Sequence, residues 1–186
     1  MEAIQTERLV LRDFEESDWK SIHDYASDQE VVRYMDWGPN TAEETMNFIK
    51  RAAARREEKP RRSYDLAVIL ASQNALIGAC GIYVSNPEGR EGFIGYVFNR
   101  NFWGRGYATE AAKTLLEFGF SQLNLHRIFA TCDPMNIASA RVLEKIGMQH
   151  EGRLREHKWA KEKWRDSLLY AILDYEWERL GPSEKS

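Results

Sequence analysis

The sequence has no long apolar run and no excess of charge of one sign. Its 26 lysines and arginines are balanced by 29 aspartates and glutamates, giving a net charge of −3. That balance argues against a DNA-binding protein, because such proteins carry a clear cationic excess. No apolar stretch approaches the roughly 20 residues that span a bilayer, and the N-terminus is charged almost at once, unlike a secretory signal. We therefore expect a soluble, cytoplasmic protein that does not need a membrane.

Cysteine is also scarce. Cys80 and Cys132 are the two cysteines, and the four histidines are scattered along the chain. None of these residues has the spacing of a zinc site. We expect two buried, reduced thiols and no bound metal.

The length and composition suit one globular unit. The chain has 186 residues, of which 43% are hydrophobic and 30% charged, unlike a disordered chain. This length is typical of one domain. We expect a single domain over residues 1–180, followed by a short C-terminal tail at residues 181–186.

Hydrophobic periodicity predicts the element order β-α-α-β-β-β-α-β-α-β-β. The predicted strands are residues 9–14, 64–70, 76–84, 92–98, 127–132, 148–154 and 168–173. The first two helices follow Ser17 and Thr41, and the last two cover residues 104–120 and 136–146. A right-handed crossover through the third helix makes its two flanking strands parallel, and hairpins make the other pairs antiparallel. The predicted fold class is α/β, with a mixed sheet and helices on its faces.

Two helix starts carry recognisable signals. Ser17 is predicted to cap the first helix. Thr41 and Glu44 have the spacing of a capping box, which predicts the start of the second helix. The apolar face of that second helix is predicted to consist of Met46, Ile49 and Ala53.

Residues 50–62 form a basic cluster, with seven basic side chains and two acidic ones. The cluster is a candidate contact for RNA, for the ribosome or for a phosphate. The overall negative charge favours the alternative interpretation, a solvated helix end where cations suit the helix dipole. Trp37 and Trp103 lie beside glycines in predicted loops, either near a ligand or at the edge of the core.

The most informative stretch joins the strand at 92–98 to the next helix through Gly104 and Gly106. The first turn of a helix leaves N–H groups without intrahelical partners, and glycines let these amides approach a bulky anion. This arrangement suits pyrophosphate binding. A P-loop would need a lysine after its last glycine. A dinucleotide-binding fingerprint would need a third glycine at the position of Thr109. Both of those motifs fit badly.

With its neighbours, the stretch resembles the acetyl-CoA-binding signature [QR]-x-x-G-x-[GA] of the GNAT superfamily of N-acetyltransferases. It reads Asn101-Phe102-Trp103-Gly104-Arg105-Gly106, with Asn101 where the family has Gln or Arg. Residues 136–148 resemble the N-x-x-S…L-x-K-x-G-F segment of one branch, and residues 6–12, 107–111 and 151–155 agree with that branch. It is similar to the acetyltransferases that modify alanine or serine at ribosomal-protein N-termini. The resemblance covers residues 7–178.

The resemblance implies a role for each matching position. The amides of Arg105, Gly106, Tyr107, Ala108 and Thr109 would hold the pyrophosphate of acetyl-CoA, and Gly104 would allow its approach. The strand edge at Tyr96, Val97 and Phe98 would pair with the pantetheine arm. Asn136 would hydrogen-bond that arm, and Ser139 would lie near the sulfur. Taken alone, Asn136 is also a good helix N-cap and Ser139 an ordinary residue of a first helical turn.

The implied reaction is direct transfer of acetyl from acetyl-CoA to a primary amine, without a metal. At pH 7.5 an α-amine is about one-third neutral and a lysine amine about 0.1% neutral, which favours a protein N-terminus as acceptor. A strand amide near Val97 would stabilise the oxyanion, and Ser139 would donate a hydrogen bond to the leaving thiolate. Glu156, Glu110 or a water relay would serve as general base, although Glu110 also suits the helix dipole.

Three alternatives stay open at this point. The first is the same chemistry on a small amine, such as a polyamine, an amino acid or an antibiotic. The second is a non-catalytic module that binds CoA or contacts RNA through residues 50–62. The third, an oxidoreductase that binds a dinucleotide, is disfavoured by Thr109 and by the topology. The acceptor pocket is expected at loops 36–39 and 156–165, and both a monomer and a homodimer fit the sequence.

Overall fold

One mixed sheet of eight strands organises the protein, and the computed structural model describes residues 1–180 of it. The strands are β1 (Ile4–Gln5), β2 (Leu9–Asp13), β3 (Ser63–Leu70), β4 (Ala75–Asn86), β5 (Glu91–Phe98), β6 (Arg127–Cys132), β7 (Gln149–Ala160) and β8 (Lys163–Leu173). The helices are α1 (Trp19–Ala26), α2 (Ala42–Arg56), α3 (Tyr107–Ser121), α4 (Ile137–Lys145) and α5 (Asp174–Arg179). The predicted tail at residues 181–186 lies outside the described residues.

The strands lie in the order β1-β2-β3-β4-β5-β6-β8-β7. β5 and β6 are parallel, and the remaining neighbours are antiparallel. The predicted mixed sheet and its βαβ unit are therefore confirmed. β1 and α5 were not predicted, because two and six residues are too short to show a periodic pattern.

The capping box at the start of α2 is confirmed, since the Glu44 amide donates to the Thr41 hydroxyl and the Thr41 amide to the Glu44 carboxylate. The predicted cap at Ser17 is wrong: Ser17 lies inside a 3-10 turn, Glu16–Asp18, and α1 starts only at Trp19. In this turn the Asp18 carboxylate accepts from the Glu15 amide at 2.8 Å. Asp18, not Ser17, therefore stabilises this corner.

The predicted apolar face of α2 is wrong at Met46, which is 41% exposed. The buried side chains of α2 are Thr45, Ile49 and Ala52. Thr45 is tolerated inside because its hydroxyl donates to the Thr41 carbonyl and lies 3.1 Å from His23 Nδ1. A hydrogen-bonded threonine is therefore buried on α2. Hydrophobicity alone predicts instead that the neighbouring Met46 is buried.

The last two strands are longer than predicted. They continue as a hairpin through the charged segment 156–165, which the sequence analysis assigned to a loop. The turn consists of Lys161 and Glu162, both with positive φ (52° and 60°), as in a two-residue hairpin turn. The loop prediction failed because charged residues on both faces hide the alternating pattern of a strand.

Two buried clusters lie on the two faces of the sheet. The larger includes Leu115 and Leu116 of α3 and Leu143 of α4, and the smaller includes Ile22 of α1 and Ile49 of α2. Both cysteines are free and buried, as predicted. Within residues 1–180, no helix has the length and hydropathy needed to span a membrane.

Candidate active site

β5 and β6 separate after a short parallel pairing. Their ladder runs from the pair Glu91–Arg127 to the pair Phe93–Phe129 and then stops. Beyond it, β5 continues to pair with β4 as far as Phe98, and β6 continues to pair with β8 as far as Cys132. One backbone edge of each strand therefore faces the other across a gap, where an inserted chain can form strand-like hydrogen bonds. The gap opens into a cavity of about 1010 Å³ that residues of both strands line.

The glycine turn lies at one end of this gap. Gly104 and Gly106 have φ of +73° and +82°, in the region that favours glycine, and Gly106 is the N-cap of α3. A Cβ at Gly104 would meet no heavy atom within 4 Å, so the backbone there is open to a ligand. Of the predicted pyrophosphate contacts, Gly104, Gly106, Tyr107 and Ala108 line the cavity. Arg105 and Thr109 are not among the lining residues, so only their amides remain candidates.

Arg8 and Glu110 brace the glycine turn. The Arg8 guanidinium donates to Glu110 Oε2 at 2.7 Å and to the Arg105 carbonyl at 3.0 Å. Thr6 and the Arg8 amide donate to the other carboxylate oxygen. Burial alone would raise the pKa of the Glu110 carboxyl, but these hydrogen bonds and the Arg8 charge hold it below its ordinary value. Glu110 also lies off the cavity lining, so it braces the turn and is unsuited to act as a general base.

Ser139 lies on the opposite side of the gap, in the first turn of α4. Asn136 caps this helix by accepting the Ser139 amide at 3.2 Å. The Ser139 hydroxyl lies 3.0 Å from the Tyr96 hydroxyl, and Tyr96 also donates to the Ser139 carbonyl. Asn136, Ser139 and Tyr96 all line the cavity together with Val97 and Phe98. The structure thus brings together the residues predicted at the pantetheine arm and the sulfur.

Sequence analysis treated Tyr96 only as a backbone contact and missed its phenol. Burial raises the pKa of this phenol above its ordinary value, so it is protonated near neutrality. Cys132 lies in the same region, where burial and the charges of Asp133 and Glu144 raise its thiol pKa to about 11. The hydroxyls of Tyr96 and Ser139 can therefore donate hydrogen bonds, whereas the Cys132 thiol is a poor nucleophile.

The structure does not bring Glu156 to this centre. Glu156 is exposed, lies at an irregularity of β7 with φ +49°, and its amide donates to Asp166 Oδ1 at 2.8 Å. It is not one of the residues that line the cavity. A general base must lie within reach of the amine whose proton it removes. This geometry therefore does not support direct proton transfer by Glu156.

The β7–β8 hairpin closes one side of the cavity against the loop that follows α1. Lys161 Nζ donates to the Val32 carbonyl at 2.7 Å, and Arg165 Nη1 donates to the Met35 carbonyl at 3.2 Å. Trp37 of that loop and Trp103 both line the cavity. The two segments in which the sequence analysis expected the acceptor pocket thus both line this cavity, although one of them is a hairpin.

Three of the seven basic side chains at residues 50–62 form ion pairs, while five of the seven are exposed. Arg55 pairs with Asp65, Arg61 with Asp13, and Arg56 with Glu57. Arg51 lines the cavity. These contacts reduce the cationic surface that an RNA could use. Among residues 1–180, no group of three His, Cys, Asp or Glu side chains is arranged to hold a metal ion.

The comparisons agree with this geometry. Residues 8–149 match the family model for an acetyltransferase (GNAT) domain. The chain is 41% identical over 174 residues to the uncharacterized N-acetyltransferase YnaD of Bacillus subtilis (strain 168), covering 94% of this chain and 98% of that protein. The chain therefore belongs to the GNAT acetyltransferase family and is an N-acetyltransferase.

Solved structures show the same fold. A GNAT-family acetyltransferase from Bacillus anthracis has a TM-score of 0.83 at 38% identity, covering 94% of this chain and 99% of that one. RimL, a ribosomal L7/L12 α-N-protein acetyltransferase solved in complex with coenzyme A, has a TM-score of 0.82 at 20% identity, covering 93% and 99%. The second likeness concerns the fold alone. The predicted family and fold are thus confirmed.

Proposed function

We propose that the protein transfers an acetyl group from acetyl-CoA to the α-amine of a protein N-terminus, by direct attack within a ternary complex. The gap between β5 and β6 fits the pantetheine arm, because the free strand edge at residues 96–98 offers backbone hydrogen bonds to an extended chain. The glycine turn at Gly104 and Gly106 fits the pyrophosphate.

The attack itself requires a neutral amine and stabilisation of the oxyanion that develops. The candidate donor to that oxyanion is a strand amide near Val97, on the part of β5 that borders the gap. Ser139 donates to the thiolate as it leaves, and Tyr96, 3.0 Å from it, supports that donor. No cysteine thiol is activated at this point, since the Cys132 pKa is about 11. This favours direct attack over an acyl-enzyme.

The observation that carries the choice of an α-amine is the state of the carboxylates that line the cavity. Within residues 1–180, each has a partner: Glu30 with Arg33, Asp36 with Lys158, Glu44 with Thr41, Asp65 with Tyr83, Asp133 with Arg165 and Asp166 with Arg153. The pKa values of Glu44 and Asp166 are lowered, mainly by backbone amides that donate to them. Glu44 and Asp166 are therefore weak bases, and the other four carboxylates are engaged by their partners, which favours an acceptor that is largely neutral already. An α-amine meets this need at pH 7.5, whereas a lysine or a polyamine amine does not.

The test is CoA release from acetyl-CoA with a panel of short peptides and small amines. We expect release with lysine-free peptides that have a free N-terminus, and little with the same peptides blocked at the α-nitrogen or with spermidine. Turnover of spermidine but of no peptide would replace the protein acceptor with a small amine. Stabilisation by CoA in a melting experiment, without turnover of any amine, would favour a non-catalytic CoA-binding module.

A further inference from the structure

The acceptor side of the cavity has a floor of three cross-strand pairs from β4 and β5. They are Ala79–Val97, Gly81–Gly95 and Tyr83–Phe93, and all six residues line the cavity. Residues two apart on a strand share one face. Ala79 and Val97 pack with the cluster under α1 and α2, so the glycine pair lies on that same face. The Gly81–Gly95 pair lies two residues from the Ala79–Val97 pair, about 6.8 Å along the strand.

The glycine pair creates a recess over Gly95 alone. A Cβ on Gly95 would meet no heavy atom within 4 Å, whereas one on Gly81 would lie 2.6 Å from the Tyr83 hydroxyl. The Tyr83 side chain thus fills the space above Gly81. Farther from Val97, Tyr83 and Phe93 stack with ring centroids 4.8 Å apart and end the recess. The space above Gly95 is therefore bordered by the Tyr83 side chain over Gly81 and by the Tyr83–Phe93 stack.

A buried carboxylate lies beside Tyr83, on the side of Gly81 that is away from Gly95. Asp65 is 6% exposed and lines the cavity, and its register partner on β4 is Gly81. Its Oδ1 accepts from the Tyr83 hydroxyl at 2.5 Å and its Oδ2 from Arg55 at 3.3 Å. A carboxylate has about four acceptor positions, so Asp65 can accept a further N–H donor from a ligand in the cavity.

We propose that the recess over Gly95 holds the first side chain of the acceptor polypeptide, with Asp65 accepting a hydrogen bond from an N–H of the acceptor backbone. This rests on the proposed function, because it takes a polypeptide N-terminus as acceptor and places its amine near Val97. The recess selects acceptors by the size of the first residue, and it has room for a small one. The Tyr83–Phe93 stack then contacts the residue that follows.

The test uses the variants Gly95→Ala and Gly95→Val, with Gly89→Ala as a matched control. Gly89 is an exposed turn glycine, and the three atoms nearest to an added Cβ all belong to the Asn86 side chain. Thermal midpoint and CoA affinity are measured first, and we expect both to stay unchanged in Gly95→Ala. KM and kcat are then measured with two lysine-free peptides that differ only in a first residue of Gly or Ser.

We expect Gly95→Ala to raise KM about tenfold for the Ser peptide and less for the Gly peptide, as for one extra methyl in a pocket. Gly95→Val should widen that difference, and Gly89→Ala should leave both peptides unaffected. Asp65→Asn, which keeps the side-chain size, should raise KM for both peptides equally and leave CoA affinity unchanged.

Two results would overturn the proposal and are distinct from each other. If the wild type acetylates both peptides and the Gly95 variants keep its KM for both, the recess is not an acceptor subsite, while the proposed function stands. If the wild type acetylates neither peptide, the proposed function fails, and the assignment of the recess to a polypeptide fails with it.

Discussion

The hydroxyl oxygens of Tyr96 and Ser139 lie 3.0 Å apart across the gap between β5 and β6. Tyr96 lies on β5, whose backbone is proposed to bind pantetheine. Ser139 lies on α4, on the other side of the gap. Their contact joins the two walls of the gap at the place assigned to the sulfur. Because burial keeps the Tyr96 phenol protonated, the pair can donate to a thiolate and has little capacity to accept a proton from the amine.

Ser139→Ala should lower kcat about 100-fold, the lower end of the usual contribution of a positioned proton donor. Tyr96→Phe should lower it less, because Ser139 still reaches the sulfur. CoA affinity, measured by calorimetry, should change little in either variant. A Ser139→Ala enzyme with wild-type kcat would remove Ser139 from the reaction, and a loss confined to CoA affinity would give it a binding role only.

Glu110→Gln should weaken both the fold and CoA binding, because Arg8 and Thr6 lose the carboxylate that fixes the glycine turn. We expect a loss of about 1–2 kcal/mol in the free energy of unfolding at pH 7, allowing for the half-exposed Arg8. The Glu110 pKa is lower in the folded protein, so this stabilisation is present above the unfolded pKa of about 4.3 and is lost as pH falls through the folded pKa.

Urea unfolding of the wild type and Glu110→Gln at pH 7 and at pH 3 checks this sign. The difference between the two proteins should shrink at the lower pH. A difference that is the same at both values, or larger at pH 3, would show that the ion pair with Arg8 is not its source.

Cys132→Ala should retain most of the activity, although Cys132 lines the cavity near Ser139. With a pKa of about 11, only about 0.1% of this thiol is ionised at pH 8, so it is a poor acyl acceptor. Initial-rate kinetics and intact-mass measurement after mixing with acetyl-CoA alone provide the check. A stable acetyl adduct on the wild type that the variant lacks would establish a covalent route instead.

The dependence of kcat/KM on pH should follow the ionisation of the acceptor. With a lysine-free peptide we expect about a tenfold rise per pH unit below roughly pH 7.8 and a plateau above it. This follows from the absence of an unpaired carboxylate in the cavity lining of the described residues. A profile that is already flat from pH 6 upward would show that an enzyme group removes the proton.

Local patterns predicted much of the fold, and contacts between distant residues account for what was missed. The two glycines, the Thr41 capping box and the βαβ unit each depend on neighbouring residues or on a single crossover. The Arg8–Glu110 and Tyr83–Asp65 pairs depend on strand register, which hydrophobic periodicity does not specify. The charged β7–β8 hairpin lacks the alternating pattern of a strand and is ordered by Lys161 and Arg165, which bind carbonyls more than a hundred residues away.

The proposed α-amine acceptor is tested most directly with one peptide that has a free α-amine and one internal lysine. The peptide is incubated with acetyl-CoA and the enzyme at pH 7.5, and fragmentation mass spectrometry locates the acetyl group. We expect acetylation of the α-nitrogen, with the lysine unmodified. Acetyl on the lysine, or an unmodified peptide under conditions where spermidine is acetylated, would contradict it.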